Sequence, residues 1–196
     1  HTRYISVTGV QTCALPISGL GGSGPDHWQS IWQREVPNAE RVEQADWDRP
    51  VPSDWLRVLA PATAERPGAV VVAHSLGCVL LAHLVERQPR TPIAAALLVA
   101  PADVEADGPE RETVKPFAPV PLGLLPFPSL VVASGNDPFV TPRRAALFAR
   151  AWGSTFVDVG ACGHINVAAG FGPWPDGRGM LDRLIAQARE ANVGSR

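Results

Sequence analysis

No stretch of this sequence approaches the roughly 20 consecutive apolar residues that a bilayer-crossing helix needs, so no membrane span and no membrane partner are expected. The short run Cys13–Ile17 is broken by Pro16 and lacks a cleavage signature, which argues against a secretory leader. Basic clusters are missing too. Against 17 Lys and Arg stand 19 Asp and Glu, for a formal net charge of −2, and nothing supplies the footprint that a phosphate backbone demands. Nucleic acid is therefore not an expected partner. Cysteine is scarce: Cys13, Cys78 and Cys162 cannot all pair with one another, and none has the CxxC spacing of a zinc or redox site. Reduced thiols fit a cytoplasmic location, and neither a metal nor another cofactor is called for.

What is present is ordinary globular material, 45% hydrophobic and 18% charged. A length of 196 residues suits one packed core and leaves no room for a large cap domain. No internal repeat occurs, and Pro and Gly are spread too evenly to mark a linker. The opening residues 1–17, HTRYISVTGVQTCALPI, read unlike the remainder and resemble a translated sequencing-adapter string. The other reading is a degraded or odd first strand over Thr12–Ser18. Residues 18–196 are read as a single domain, with 1–17 set apart.

From residue 18 onward, short apolar runs ending in Gly, Ser or Asp alternate with helical stretches, the pattern of βαβ units. Ala69–Ala73 (AVVVA), Ala94–Ala100 (AAALLVA) and Ser129–Ser134 (SLVVAS) are nearly all apolar, as strands covered on both faces are. Weaker strands are expected at Leu15–Ser18, Arg41–Gln44 and Thr155–Val159. Helices are expected at His27–Val36, Trp55–Ala64, Ser75–Arg87, Pro142–Trp152 and Gly179–Ala191. With six prolines, Asp103–Pro128 should be an irregular excursion above the site. The expected fold is α/β, a doubly wound parallel sheet of about six strands with its site at the carboxyl edge beside a topological switch point.

Ala73-His74-Ser75-Leu76-Gly77 puts a serine where an apolar strand runs into a helix, the nucleophile-elbow pattern with Ala at its first small position. The turn strains Ser75, and the positions two before and two after must be small because adjacent chain lies against them. The N–H of Leu76 then points at the same space as the serine hydroxyl, as one oxyanion donor. The plainer alternative is an ordinary N-cap serine. Two further residues decide between them. Serine needs a base, and in this chain order the acid and then the histidine follow it. His1 and His27 precede Ser75, His74 is its neighbour and His83 lies inside the following helix, which leaves His164 in a Gly-flanked loop. The orienting acid should follow the strand Ser129–Ser134, where Asp137 stands, with Asp158 and Asp103 as runners-up. The second oxyanion donor falls in Ser18-Gly19-Leu20-Gly21-Gly22-Ser23-Gly24, at Leu20 or, alternatively, Gly21. That loop lacks the Gly-Lys-Ser/Thr of a phosphate cradle and a convincing dinucleotide fingerprint.

Gly19-Leu20-Gly21-Gly22-Ser23-Gly24-Pro25-Asp26-His27-Trp28, the His74-Ser75-Leu76-Gly77 elbow, Ser134-Gly135-Asn136-Asp137-Pro138 and Gly163-His164-Ile165-Asn166 together resemble the small serine hydrolases that include retinoblastoma-binding protein 9 and bacterial relatives. The resemblance spans roughly residues 18 to 190. It implies a lidless α/β-hydrolase with a triad at Ser75, Asp137 and His164, and it assigns Asp26, His27 and Trp28 to a structural or site-lining motif. Cys13-Ala14-Leu15-Pro16-Ile17 departs from the clean Val/Leu strand of that family. The Leu-x-Cys-x-Glu motif is absent, so the retinoblastoma partner does not carry over, and any protein partner stays unassigned.

The expected reaction is hydrolysis of a small ester or acyl amide through an acyl-serine, with His74, Phe117 and Trp174 as substrate-binding residues and Pro116–Phe127 walling the acyl pocket. The rival is a non-catalytic protein-binding module on the same fold, for which Trp28, Trp32, Trp47 and Trp55 would supply aromatic contacts.

Overall fold

The three apolar runs become the middle of a sheet. A computed structural model describes residues 13–194. Five strands, β1 (Ala14–Ile17), β2 (Ala69–His74), β3 (Ile93–Val99), β4 (Ser129–Ala133) and β5 (Thr155–Asp158), lie parallel in that spatial order. Between and after them run α1 (Trp28–Glu35), α2 (Pro52–Ala64), α3 (Leu76–Arg87), the single turn α4 (Arg111–Val114), α5 (Pro142–Trp152) and α6 (Pro175–Gly194).

Alternation along each strand sorts the core into two layers. Leu15, Ile17, Val71, Ala73, Ala96, Leu98 and Val131 face α2, α3 and α5, whose Leu59, Leu80 and Phe148 are wholly buried. On the opposite side Ala14, Val70, Val72, Leu97, Val99 and Val132 meet α1 and α6 through Trp28, Trp32, Leu181 and Leu184. This is the doubly wound α/β architecture, without a large cap. Helix ends carry local signals: Thr141 caps α5 by accepting from Arg144 N–H, and Gly153 ends it at φ 69°.

The sheet has five strands among the described residues rather than about six. The expected strand Arg41–Gln44 survives only as one bridge between Val42 and Ile17. Glu40 and Val42 N–H groups donate to the Ala14 and Pro16 carbonyls. Pro16 therefore turns its nitrogen toward the same edge, where it has no hydrogen to give back, and the ladder stops. Of the segment set apart, Ala14–Ile17 is a buried strand in register with Val70–Ala73, so the sheet begins before residue 18, while residues 1–12 lie outside the described residues. The chain leaves β1 toward the Val42 side and returns through α2 to β2 on the other. The carboxyl ends of β1 and β2 thus flank a switch point.

Candidate active site

Ser75 joins β2 to α3 with φ 55° and ψ −123°, a conformation that L residues avoid. The turn is held by Ser75 N–H donating to Val99 C=O at 3.0 Å. It is tight because β1 runs against it. A Cβ on Gly77 would lie 2.5 Å from Ile17 O, and one on Gly19 would lie 2.8 Å from the Ser75 Cβ. Neither position admits a side chain without backbone movement.

Asp137 stands in the turn after β4, its side chain fully buried and its Oδ1 accepting from Phe139 N–H at 2.9 Å. The loop after β5 carries His164. Cys162 N–H donates to Ser134 Oγ and Gly163 N–H to Asn136 Oδ1, at 2.8 and 2.7 Å, which ties this loop to the one holding Asp137. The imidazole spans the gap: Nδ1 lies 3.0 and 2.9 Å from the two Asp137 oxygens and Nε2 lies 2.9 Å from Ser75 Oγ. With the ring proton on Nδ1 donating to the carboxylate, Nε2 accepts from the serine hydroxyl. The runners-up are occupied elsewhere. Asp158 accepts from Gly160 N–H, and Asp103 pairs with Arg144 at 3.2 Å.

Leu76 and Leu20 both line the cleft over Ser75, and among the described residues neither N–H has an intramolecular acceptor. Gly21 is different. Its N–H donates to Trp47 C=O at 2.9 Å, so it cannot serve as the alternative oxyanion donor. The Gly-rich loop is fixed from below: Gln29, wholly buried, donates to the carbonyls of Ile17 and Val72 and accepts from Ser23 Oγ.

The fold that carries these loops has known relatives. The sequence pattern of the family described as serine hydrolase matches residues 14–183. The chain belongs to that family. Among solved structures, this serine hydrolase is similar to a YdeN-like protein from Pectobacterium atrosepticum, with 33% identity, 91% of this chain and 92% of that one covered and a TM-score of 0.79. It is also similar to the ydeN product of B. subtilis, at 20% identity, 89% and 99% coverage and a TM-score of 0.73. Est1E of Butyrivibrio proteoclasticus, solved with ferulic acid, shares the fold at 13% identity, with 93% and 88% covered and a TM-score of 0.63. Curated proteins give no match.

Three expected substrate contacts are corrected in this serine hydrolase. Phe117 is fully buried under α3, edge-on to Trp55, with its carbonyl 2.7 Å from His83 Nε2. Trp174 stacks on Trp32 in the layer behind the sheet. His74 points into that same layer, its Nε2–H donating to the His164 carbonyl. The open cleft is instead walled by Leu20, Ala102, Ala106, Pro109, Val114 and Phe139. The excursion does sit above the site, but its first half forms the wall. Phe139, edge-to-face with His164 at 4.6 Å, was not singled out in the sequence, although its place two residues after Asp137 was a signal.

Proposed function

We propose that this chain hydrolyses a small ester or acyl amide through a covalent acyl-Ser75 intermediate. The observation that carries this reading is the His164 imidazole, 2.9 Å from Ser75 Oγ on one side and 2.9 Å from Asp137 on the other. Ser75 Oγ attacks the acyl carbon while its proton passes to His164 Nε2, and Asp137 holds the imidazolium that results. The carbonyl oxygen, now carrying the electron pair, is met by the N–H groups of Leu76 and Leu20. Collapse expels the alcohol or amine, which takes the proton from Nε2. Water then gives a proton to the same nitrogen as its oxygen attacks the ester, and Ser75 Oγ leaves as the acid forms, taking that proton back from Nε2.

The cleft wall is mixed, and its apolar part, Leu20, Ala102, Ala106, Val114 and Phe139 beside the charged Asp107, Glu110 and Arg111, suits a compact acyl group. Kinship with retinoblastoma-binding protein 9 in particular belongs to this reading, supported by the motifs quoted above. A cytoplasmic location draws support from three free cysteines. Among the described residues no helix is long and apolar enough to cross a membrane. The binding-module alternative is weakened, since Trp28, Trp32 and Trp55 are buried and only Trp47 is half-exposed.

A fluorophosphonate probe tests the proposal. The purified protein should become labelled, Ser75→Ala should not, and both should show the same circular dichroism. A folded wild type that resists the probe would sink the enzymatic reading. A series of p-nitrophenyl esters of increasing acyl length then reads the size of the pocket.

A further inference from the structure

The loop carrying His164 is a strained piece of chain. Gly163 has φ 54° and Ile165 φ 48°, and for a β-branched residue the left-handed region is an outlier that persists only where surrounding contacts dictate it. The contacts form a sequence along the backbone. The N–H groups of Cys162 and Gly163 are held by Ser134 and Asn136 from the β4 side. At the next two residues the grip changes to the carbonyls and to the opposite layer: His74 Nε2–H donates to His164 C=O at 2.9 Å, and Trp28 Nε1–H donates to Ile165 C=O at 2.7 Å. His164 sits where one set of grips hands over to the other.

Both donors are buried, Trp28 completely, and their rings meet edge-to-face at 5.6 Å. Neither touches the cleft. His74 is the last residue of β2, so the strand end that bends Ser75 into position also holds the backbone of the base. Burial first, and then the neighbouring His164 and His27, push the His74 imidazole well below its ordinary range. It stays neutral, keeps its donor and puts no positive charge beside the imidazolium that His164 becomes.

We propose that His74 and Trp28 are positioning residues for the reaction: by donating to the consecutive carbonyls of His164 and Ile165, they hold the imidazole in line between Ser75 and Asp137. This rests on the serine hydrolase reading of the site.

The test compares His74→Phe, which keeps a buried ring and loses the donor, with His74→Gln, whose amide nitrogen can reach the place of Nε2, and with Trp28→Phe. Fluorophosphonate labelling, scaled to the folded fraction, should slow about ten- to hundredfold in His74→Phe and in Trp28→Phe and recover to within about threefold of wild type in His74→Gln. In proton NMR the low-field Nδ1 proton of His164, held against Asp137, should be sharp in wild type and His74→Gln and broadened or lost in His74→Phe. A merely structural role would lower the melting temperature of the variants and leave labelling per folded molecule and the low-field proton unchanged, which overturns the proposal. If wild type itself resists the probe, the hydrolase reading falls. The low-field proton then decides the clamp alone, supporting it if His74→Phe loses the signal and overturning it if the signal stays.

Discussion

The bond to Val99 C=O holds Ser75 at φ 55°, and the bulk that its neighbours lack makes room for the turn. Gly77 is the clearest case, because the atoms a Cβ would strike, Ile17 O at 2.5 Å and Ser18 O at 2.9 Å, belong to backbone and cannot rotate away. Gly77→Ala should therefore cost about 2 kcal/mol or more of stability as β1 and α3 are pushed apart, visible as a lower urea midpoint. A wild-type midpoint would mean that the elbow tolerates the extra methyl. Asp137→Asn makes a different demand. An amide presenting its N–H₂ to Nδ1 favours the tautomer with the proton on Nε2, which can no longer accept from Ser75. The expected loss is about 10⁴-fold in kcat with the fold intact. Ester hydrolysis at wild-type rates by the variant would remove Asp137 from the triad. That Ser75, Asp137 and His164 come together was legible in the sequence because each is announced locally, by an elbow or by a loop after a strand, and the chain order removes the rival histidines. Gly21 and Phe117 were not. What disqualifies them is a hydrogen bond to Trp47 and a ring contact with Trp55, partners that only the tertiary fold brings near.

At the scale of elements, strands and helices were legible wherever the apolar pattern was strong, and boundaries moved where caps lay outside it. Helix α2 begins at Pro52, three residues before its expected start, since proline suits the first turn. Helix α1 depends on an unusual cap: His27 Nδ1 accepts from Gln29 N–H, which only the neutral ring can do. Burial, then the nearby Arg41 and His164, push His27 down to about 4 from 6.5. The unfolded chain takes up this proton near the ordinary value and the folded protein only near the lower one. Between the two the unfolded state binds more protons, so the contribution of His27 is whole above about pH 6.5 and is lost as pH falls through about 4. The loss amounts to roughly 3 kcal/mol across that window. His27→Asn keeps a capping oxygen without the titration. Urea midpoints measured at about pH 7 and about pH 4.5 should differ less in the variant than in wild type. The flattening will be partial, since His74 shifts in the same direction. Equal pH dependence in both proteins would rule out His27 as a source.

Across the whole molecule, the site draws on both halves of the sheet, and the excursion between β3 and β4 does the covering that a cap domain does in larger folds. Its second half is fastened to α5, where Trp152 Nε1–H donates to Pro121 C=O and Leu125 N–H to Trp152 C=O, and two further fastenings flank the cleft wall. Near its start, Arg144 of α5 pairs with Asp103 and Glu105, and Asp103 N–H donates to Phe139 C=O. Farther on, Phe117 is sunk in the core beneath α3. Between these points Asp107–Glu112 is exposed, yet this stretch and its neighbours form the cleft wall. Arg144 is therefore the fastening whose loss frees the wall without unpacking the core, its other contact being the face of Phe148 at 4.7 Å. Arg144→Ala should lower stability by about 1 kcal/mol, because Asp103, half-buried, loses its cation. It should also quicken proteolytic cutting within 107–112 and raise KM for a p-nitrophenyl ester while leaving the labelling of Ser75 by a small fluorophosphonate near wild type. The contrast follows from geometry: the small probe needs only the serine, imidazole and oxyanion donors, whereas an acyl chain needs the wall. Equal proteolysis of the two proteins would show that the distal anchor at Phe117 suffices to hold the excursion in place.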